Sequence, residues 1–154
     1  MAHHLAQVNV ARLVADIDDP RIDEFREALE RINKLGDESP GAMWRMKGGS
    51  ESHGATDLRW PLTPDDPLMI TNVTVWTDVE SFRQFVYKSE HAEFLRRRRS
   101  WFEPSDEPQL AMWWVPAGHE PTLAEGAERL THLRTHGPTP FAFTIRHPFP
   151  PPDE

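Results

Sequence analysis

An α+β domain is what this sequence predicts, with the element order β-α-β-β-α-β, an α-β extension behind it, and the helices of the repeat on one face of the sheet. Three observations predict it. Segments that alternate apolar and polar residues, as half-buried strands do, interleave with segments of 3.6-residue periodicity. The 15 prolines fall between those segments, where a residue without an N–H and with a fixed φ does least harm. The chain has 154 residues, the length of one domain and enough to bury a core without disulfide or metal staples.

Each element follows in order. Residues 5–13 alternate, with Ala6, Val8 and Val10 on one side and Gln7 and Asn9 on the other, and predict the first strand. After the turn signal Asp18-Asp19-Pro20, the stripe Ile22, Phe25, Leu29, Ile32 and Leu35 predicts a helix that ends at Gly36 as its C-cap. Residues 41–47 read as a second strand, and residues 48–67 as a Gly/Pro/Asp-rich connection holding Trp60. Residues 68–76 form the third strand, with Thr71, Val73 and Val75 set against Asn72, Thr74 and Trp76.

Thr77 and Glu80 have capping-box spacing and predict a helix start. Phe82, Phe85 and Val86 stripe that helix, and a second helical stretch carries Phe94, Leu95, Trp101 and Phe102 beyond a break near Ser89. Residues 110–115 read as a fourth strand, Thr122 with Glu125 as the cap of a third helix, and residues 141–146 as a short final strand. The domain is thus expected over residues 1–147, with residues 148–154 as a Pro-rich tail, extended or disordered.

That order is the split βαβ of ferredoxin-like sheets, with spatial order 4-1-3-2. The first and third strands are then central neighbours. Both split the same way, into small or β-branched residues for the helix side and amides with aromatics for the other. Amides and tryptophan on an uncovered face suit a cavity closed by a second copy of the chain better than they suit plain solvent.

Composition excludes more than it selects. Without cysteine there is no disulfide framework, thiolate nucleophile or haem-thiolate ligand, and a reducing cytoplasmic home is expected. No apolar stretch approaches a membrane span, and the N-terminus lacks the basic and apolar regions of a signal peptide. The formal charge is 17 − 25 = −8, and the run Arg96 to Arg99 spreads around more than one helical turn. Nucleic acid is therefore not an expected partner.

Several motifs point further. They are Tyr87-x-Ser89-x-His91 with Phe94, Arg98, Trp101 and Phe102; Trp113 through Thr122 (WWVPAGHEPT) with Glu125, Arg129 and Leu130; and Gly137-Pro138-x-Pro140-Phe141-Ala142-Phe143. With His4-Leu5-Ala6-Gln7-x-Asn9 and Pro40-Gly41-x-x-Trp44-Arg45, the chain resembles an uncharacterised bacterial family, a domain of unknown function within the dimeric α/β-barrel superfamily that includes antibiotic biosynthesis monooxygenases. The resemblance implies a homodimer and a small aromatic or hydrophobic ligand. It admits cofactor-independent monooxygenase-like chemistry, ligand binding or a stress role without catalysis, or a haem site with a histidine as axial ligand. Fold membership does not choose among them.

His91 and Tyr87, one helical turn apart, are the catalytic candidates. An imidazole moves protons near neutrality, and a phenol at i−4 can share its face. Gln7, Asn9, Asn72 and Thr74 are candidates for holding ligand oxygens, with Trp44, Trp76 and Trp114 as aromatic walls. Trp113 and Trp114 must point to opposite faces. Arg98 is placed to reach inward to a carboxylate. His132 and His136 have a chelating spacing but no HExxH pattern, and they lie where a helix dipole favours cations, so no metal is expected.

Overall fold

The computed structural model describes residues 2–47 and 59–152. Strands β1 (His3–Arg12), β2 (Ala42–Arg45), β3 (Met69–Trp76) and β4 (Leu110–Pro116) form one sheet in the order β2-β3-β1-β4. This is the expected 4-1-3-2 order, antiparallel at every neighbour pair. Helix α1 (Asp23–Glu38) crosses from β1 to β2, helices α2 (Val79–Lys88) and α3 (His91–Arg97) cross from β3 to β4, and α4 (Leu123–His136) follows β4.

Register settles the two faces. Val8 stands opposite Val73 and Ala111, and Ala6 opposite Val75 and Trp113. These residues form a dry cluster with Ala127, Leu130 and Leu133 of α4. Gln7 stands opposite Thr74, Asn9 opposite Asn72, and Leu5 opposite Trp76 and Trp114, and this face looks toward α1, α2 and α3. The expected uncovered face therefore does not exist among the described residues. The crossover helices lie over the amide face, and α4 covers the apolar one. Strand periodicity defines two faces, but it is crossover handedness that decides which face the helices of a βαβ unit cover.

Local chemistry shifts several boundaries. Gly36 is inside α1 and not its cap; Ser39 caps the helix, its N–H donating to the Gly36 carbonyl. Asp78, not Thr77, caps α2 by accepting from the Ser81 N–H at 2.7 Å. The chain breaks at Ser89 as expected. Thr122 caps α4 by accepting from the Glu125 N–H, but the Glu125 carboxylate does not return to the cap. It accepts instead from Trp113 Nε1 and from His119 Nε2, both at 2.8 Å. The expected final strand over residues 141–146 reduces to isolated bridges, Met112 to Phe143 and Thr139 to Ala142. Phe149 of the Pro-rich tail packs on Phe143, and its carbonyl accepts from Trp114 Nε1. Most of the connection before Trp60 lies outside the described residues, but Trp60 itself is buried in the α4-side cluster.

Candidate functional site

Between the amide face and α1–α3 lies a cavity of about 660 Å³, within the range of small-molecule sites. Its walls are aromatic. Trp76 stacks on Phe85 with ring centres 5.4 Å apart and meets Phe82 at 5.6 Å, while Phe25, Phe94 and Trp101 close the end beneath α3. The rings of Phe25, Phe82, Phe85 and Phe94 come from the apolar stripes of the three helices, which here cover a sheet face too polar to pack against and so stand off from it.

The polar groups of the floor are organised by Gln7. This side chain is fully buried, and its Nε2 donates to Asn72 Oδ1 at 2.8 Å and to Thr74 Oγ1 at 2.7 Å. Thr74 Oγ1 also accepts from Trp76 Nε1 at 2.8 Å. Two consequences follow from donor and acceptor counts. With its carbonyl oxygen taken, Asn72 has its amide N–H groups to offer the cavity. Thr74, already accepting twice, has its own O–H to donate. Gln7 itself does not line the cavity, and its Oε1 is buried without a partner. It positions the two residues that do.

His91 lines the same cavity. Its ring lies against Phe85 with centres 4.8 Å apart, and Nδ1 is 3.2 Å from the Val86 carbonyl. A carbonyl only accepts, so Nδ1 carries the proton and Nε2 bears the lone pair. Burial pushes the His91 pKa below the ordinary imidazole value, an effect the Val86 hydrogen bond only partly offsets. The neutral form is therefore the resident one near pH 7.

Of the residues expected at the site, the structure brings together Asn9, Asn72, Thr74, Trp76 and His91, with Gln7 behind them. Trp44 pairs with Val75, packs with the α4-side cluster and borders the cavity at the β2 edge of the sheet. Trp114 is on the cavity side of the sheet but packs with Phe143 and Phe149, away from the cavity lining. Tyr87 is 48% exposed and does not line the cavity. Its i−4 relation to His91 does not survive the break at Ser89, which ends one helix and starts another.

Sequence reasoning missed the α1 wall. Asn33 and Gly36 of α1 both line the cavity, and the one available signal was an asparagine inside an apolar stripe. At Gly36 a Cβ would stand 3.3 Å from the tip of the Phe85 ring, so glycine lets α1 approach α2. Also missed was the doubly bonded pair Arg45–Asp37, with both N···O distances 2.9 Å. Arg98 lines the cavity, but among the described residues no carboxylate lies within ion-pair distance of it. No group of three or more metal-ligating side chains occurs among the described residues, and no helix among them is long and apolar enough to cross a membrane.

Fold and site together define a ferredoxin-like α+β domain with an aromatic-walled cavity of small-molecule size. Over residues 4–154 the chain matches the model of a domain of unknown function, DUF3291, and it belongs to that family. The family resemblance read from the motifs is thereby shown. No functionally curated protein matches the chain. Among solved structures, a protein of unknown function from Nitrosomonas europaea shares 10% identity at a TM-score of 0.50, over 78% of this chain and 96% of that one. SnoaB, a cofactor-independent oxygenase from Streptomyces nogalater, shares 15% identity at a TM-score of 0.48, over 77% of this chain and 97% of that one. An antibiotic biosynthesis monooxygenase, so assigned without proof of activity, from Chloroflexus aurantiacus shares 18% identity at a TM-score of 0.47, over 76% of this chain and 97% of that one.

Proposed function

We propose that the cavity abstracts a proton from an aromatic or hydrophobic substrate and commits the resulting anion to reaction with molecular oxygen. The observation that carries this reading is a neutral imidazole sharing one aromatic cavity with two donors aimed by a buried glutamine. A phenol or an enolisable ketone enters beneath the helix-borne aromatic rings and lies over the amide floor. His91 Nε2 takes the acidic proton, and the charge that develops on the substrate oxygen is met by Asn72 and Thr74, preorganised donors of the oxyanion-hole kind.

The electron-rich anion then gives one electron to oxygen, and the radical pair joins as a peroxide anion on carbon, which takes back the proton held by His91 to become the hydroperoxide. For a methylene flanked by aromatic rings, loss of the second C–H proton and cleavage of O–O release water and leave a ketone. One CH2 and one O2 become one C=O and one H2O. The chain's own part is to deprotonate, orient and exclude water, and oxygen is the oxidant.

Oxygen uptake with anthrone and naphthohydroquinone panels tests the reading. Turnover is expected to fall about a hundredfold or more in His91→Gln and Asn72→Ala, the order of a lost general base or oxyanion donor. Ligand binding without oxygen uptake across the panels would leave a binding protein. A Soret band in protein from haem-replete cells, lost in His91→Gln, would replace the reading with haem chemistry.

A further inference from the structure

The lining of the cavity is charged out of keeping with the chain. Its ionisable lining residues, the neutral His91 apart, are Arg45, Lys47 and Arg98 against Asp37 alone, a formal +2 inside a chain of −8. Arg45 and Asp37 neutralise each other. Three nearby arginines are also matched, Arg96 with Glu93, Arg97 with Glu24 and Arg31 with Glu90, and Arg99 does not line the cavity. Arg98 stands at the C-cap of α3, lines the cavity and has no such partner among the described residues. Lys47 also lines the cavity, one residue past Met46, whose N–H still donates to the Val73 carbonyl at 2.9 Å.

We propose that the ligand of this cavity is an aromatic carboxylic acid, bound as its anion, with Arg98 as the carboxylate anchor and Lys47 as a second cation. The proposal rests on the cavity assigned above and deepens that assignment by naming the ligand's charge. A guanidinium matches a planar carboxylate with two parallel N–H donors, which an ammonium does not. The cation count of the mouth also raises the local concentration of anions that the acidic exterior repels. Arg98 is exposed, so solvent screens it until a ligand closes over it, and the expected gain is about tenfold and not thousandfold.

Paired probes test this. Binding of 2-naphthoate and of 2-naphthamide, which share a shape and differ in charge, is measured by quenching of tryptophan fluorescence at low and high salt. The acid is expected to bind about tenfold tighter than the amide, with the advantage shrinking in salt. Arg98→Gln is expected to remove most of that advantage and leave amide affinity unchanged, whereas Arg96→Gln, one residue pair away and outside the cavity, changes neither. Equal binding of acid and amide by the wild type overturns the proposal, as does an Arg98→Gln variant that weakens both probes alike. Charge-dependent binding without oxygen uptake would overturn the catalytic reading and support this one. Failure of both probes to bind overturns this proposal, whereas the catalytic reading stands or falls on oxygen uptake with the anthrone and naphthohydroquinone panels.

Discussion

The two faces of one sheet were built from the same alternating strands to opposite ends. Under α4 the sheet is dry and close-packed. The backbone of Gly126 comes so near that a Cβ there would stand 3.2 Å from the Cβ of Val8, and Trp113 is fully buried with its only polar atom satisfied by Glu125. Under α1–α3 a row of amides and a threonine keeps the helices off the sheet, and the space left is the cavity. One face is thus a single dry cluster, whereas the other divides into two apolar clusters with the cavity among them, because amides left free of apolar contact cannot be sealed as a dry core.

That division breaks most readily at Trp113. Trp113→Ala removes a fully buried tryptophan of the dry face and takes from Glu125 one of its two donors, and is expected to cost about 3–5 kcal/mol by urea denaturation, a large share of a domain's total. A loss under about 1 kcal/mol would show that α4 is not what holds the sheet. Gln7→Leu, in the opposite face, should do the reverse. It removes an amide whose oxygen is unpartnered but whose N–H groups serve Asn72 and Thr74, so stability falls by only about 1–2 kcal/mol, while kcat falls about tenfold to a hundredfold as Asn72 and Thr74 lose their aim. A kcat that follows only the folded fraction would reduce Gln7 to a packing residue.

One chemical change made on both faces sharpens the contrast. Glycine to alanine inside a helix gains about 1 kcal/mol of intrinsic propensity. At Gly126 the new methyl meets Val8 at its branch point, which cannot move without the strand, so overpacking outweighs the gain and the variant loses about 1 kcal/mol. At Gly36 it meets the tip of the Phe85 ring beside an open cavity, where the ring can yield, and the variant gains up to about 1 kcal/mol. Melting temperatures that move the same way in both variants would deny that the faces differ in how tightly they are packed.

The faces themselves were legible in the sequence; their covers were not. Period-two alternation in residues 5–13 and 68–76 separated Val8 and Val73 from Gln7 and Asn72, and the element order yielded the strand order. Which face the crossovers cover depends on chain handedness and on what α4 does, and neither leaves a mark in a strand's periodicity. Capping misread by one residue where Thr77 and Asp78 are both cap-forming types. Tyr87 was grouped with His91 by a helical spacing that Ser89 interrupts. The α1 wall stayed hidden because Asn33 reads as an ordinary surface polar residue until the helix is placed over the amides.

The smallest expected effect concerns His91, and its sign separates the faces once more. Burial holds this imidazole's pKa below its unfolded value, so between the two values the unfolded chain binds a proton that the folded chain does not. Stability therefore rises with pH through that window, and it declines as pH falls from the ordinary imidazole value to the depressed one, levelling off below it. His91→Gln abolishes this part of the slope. The difference between wild type and variant in denaturation midpoint, followed downward from pH 7, should shrink steadily through the window. A difference independent of pH would mean that the ring is as free to protonate folded as unfolded, and the neutral base on which the cavity's proton abstraction depends would not be there.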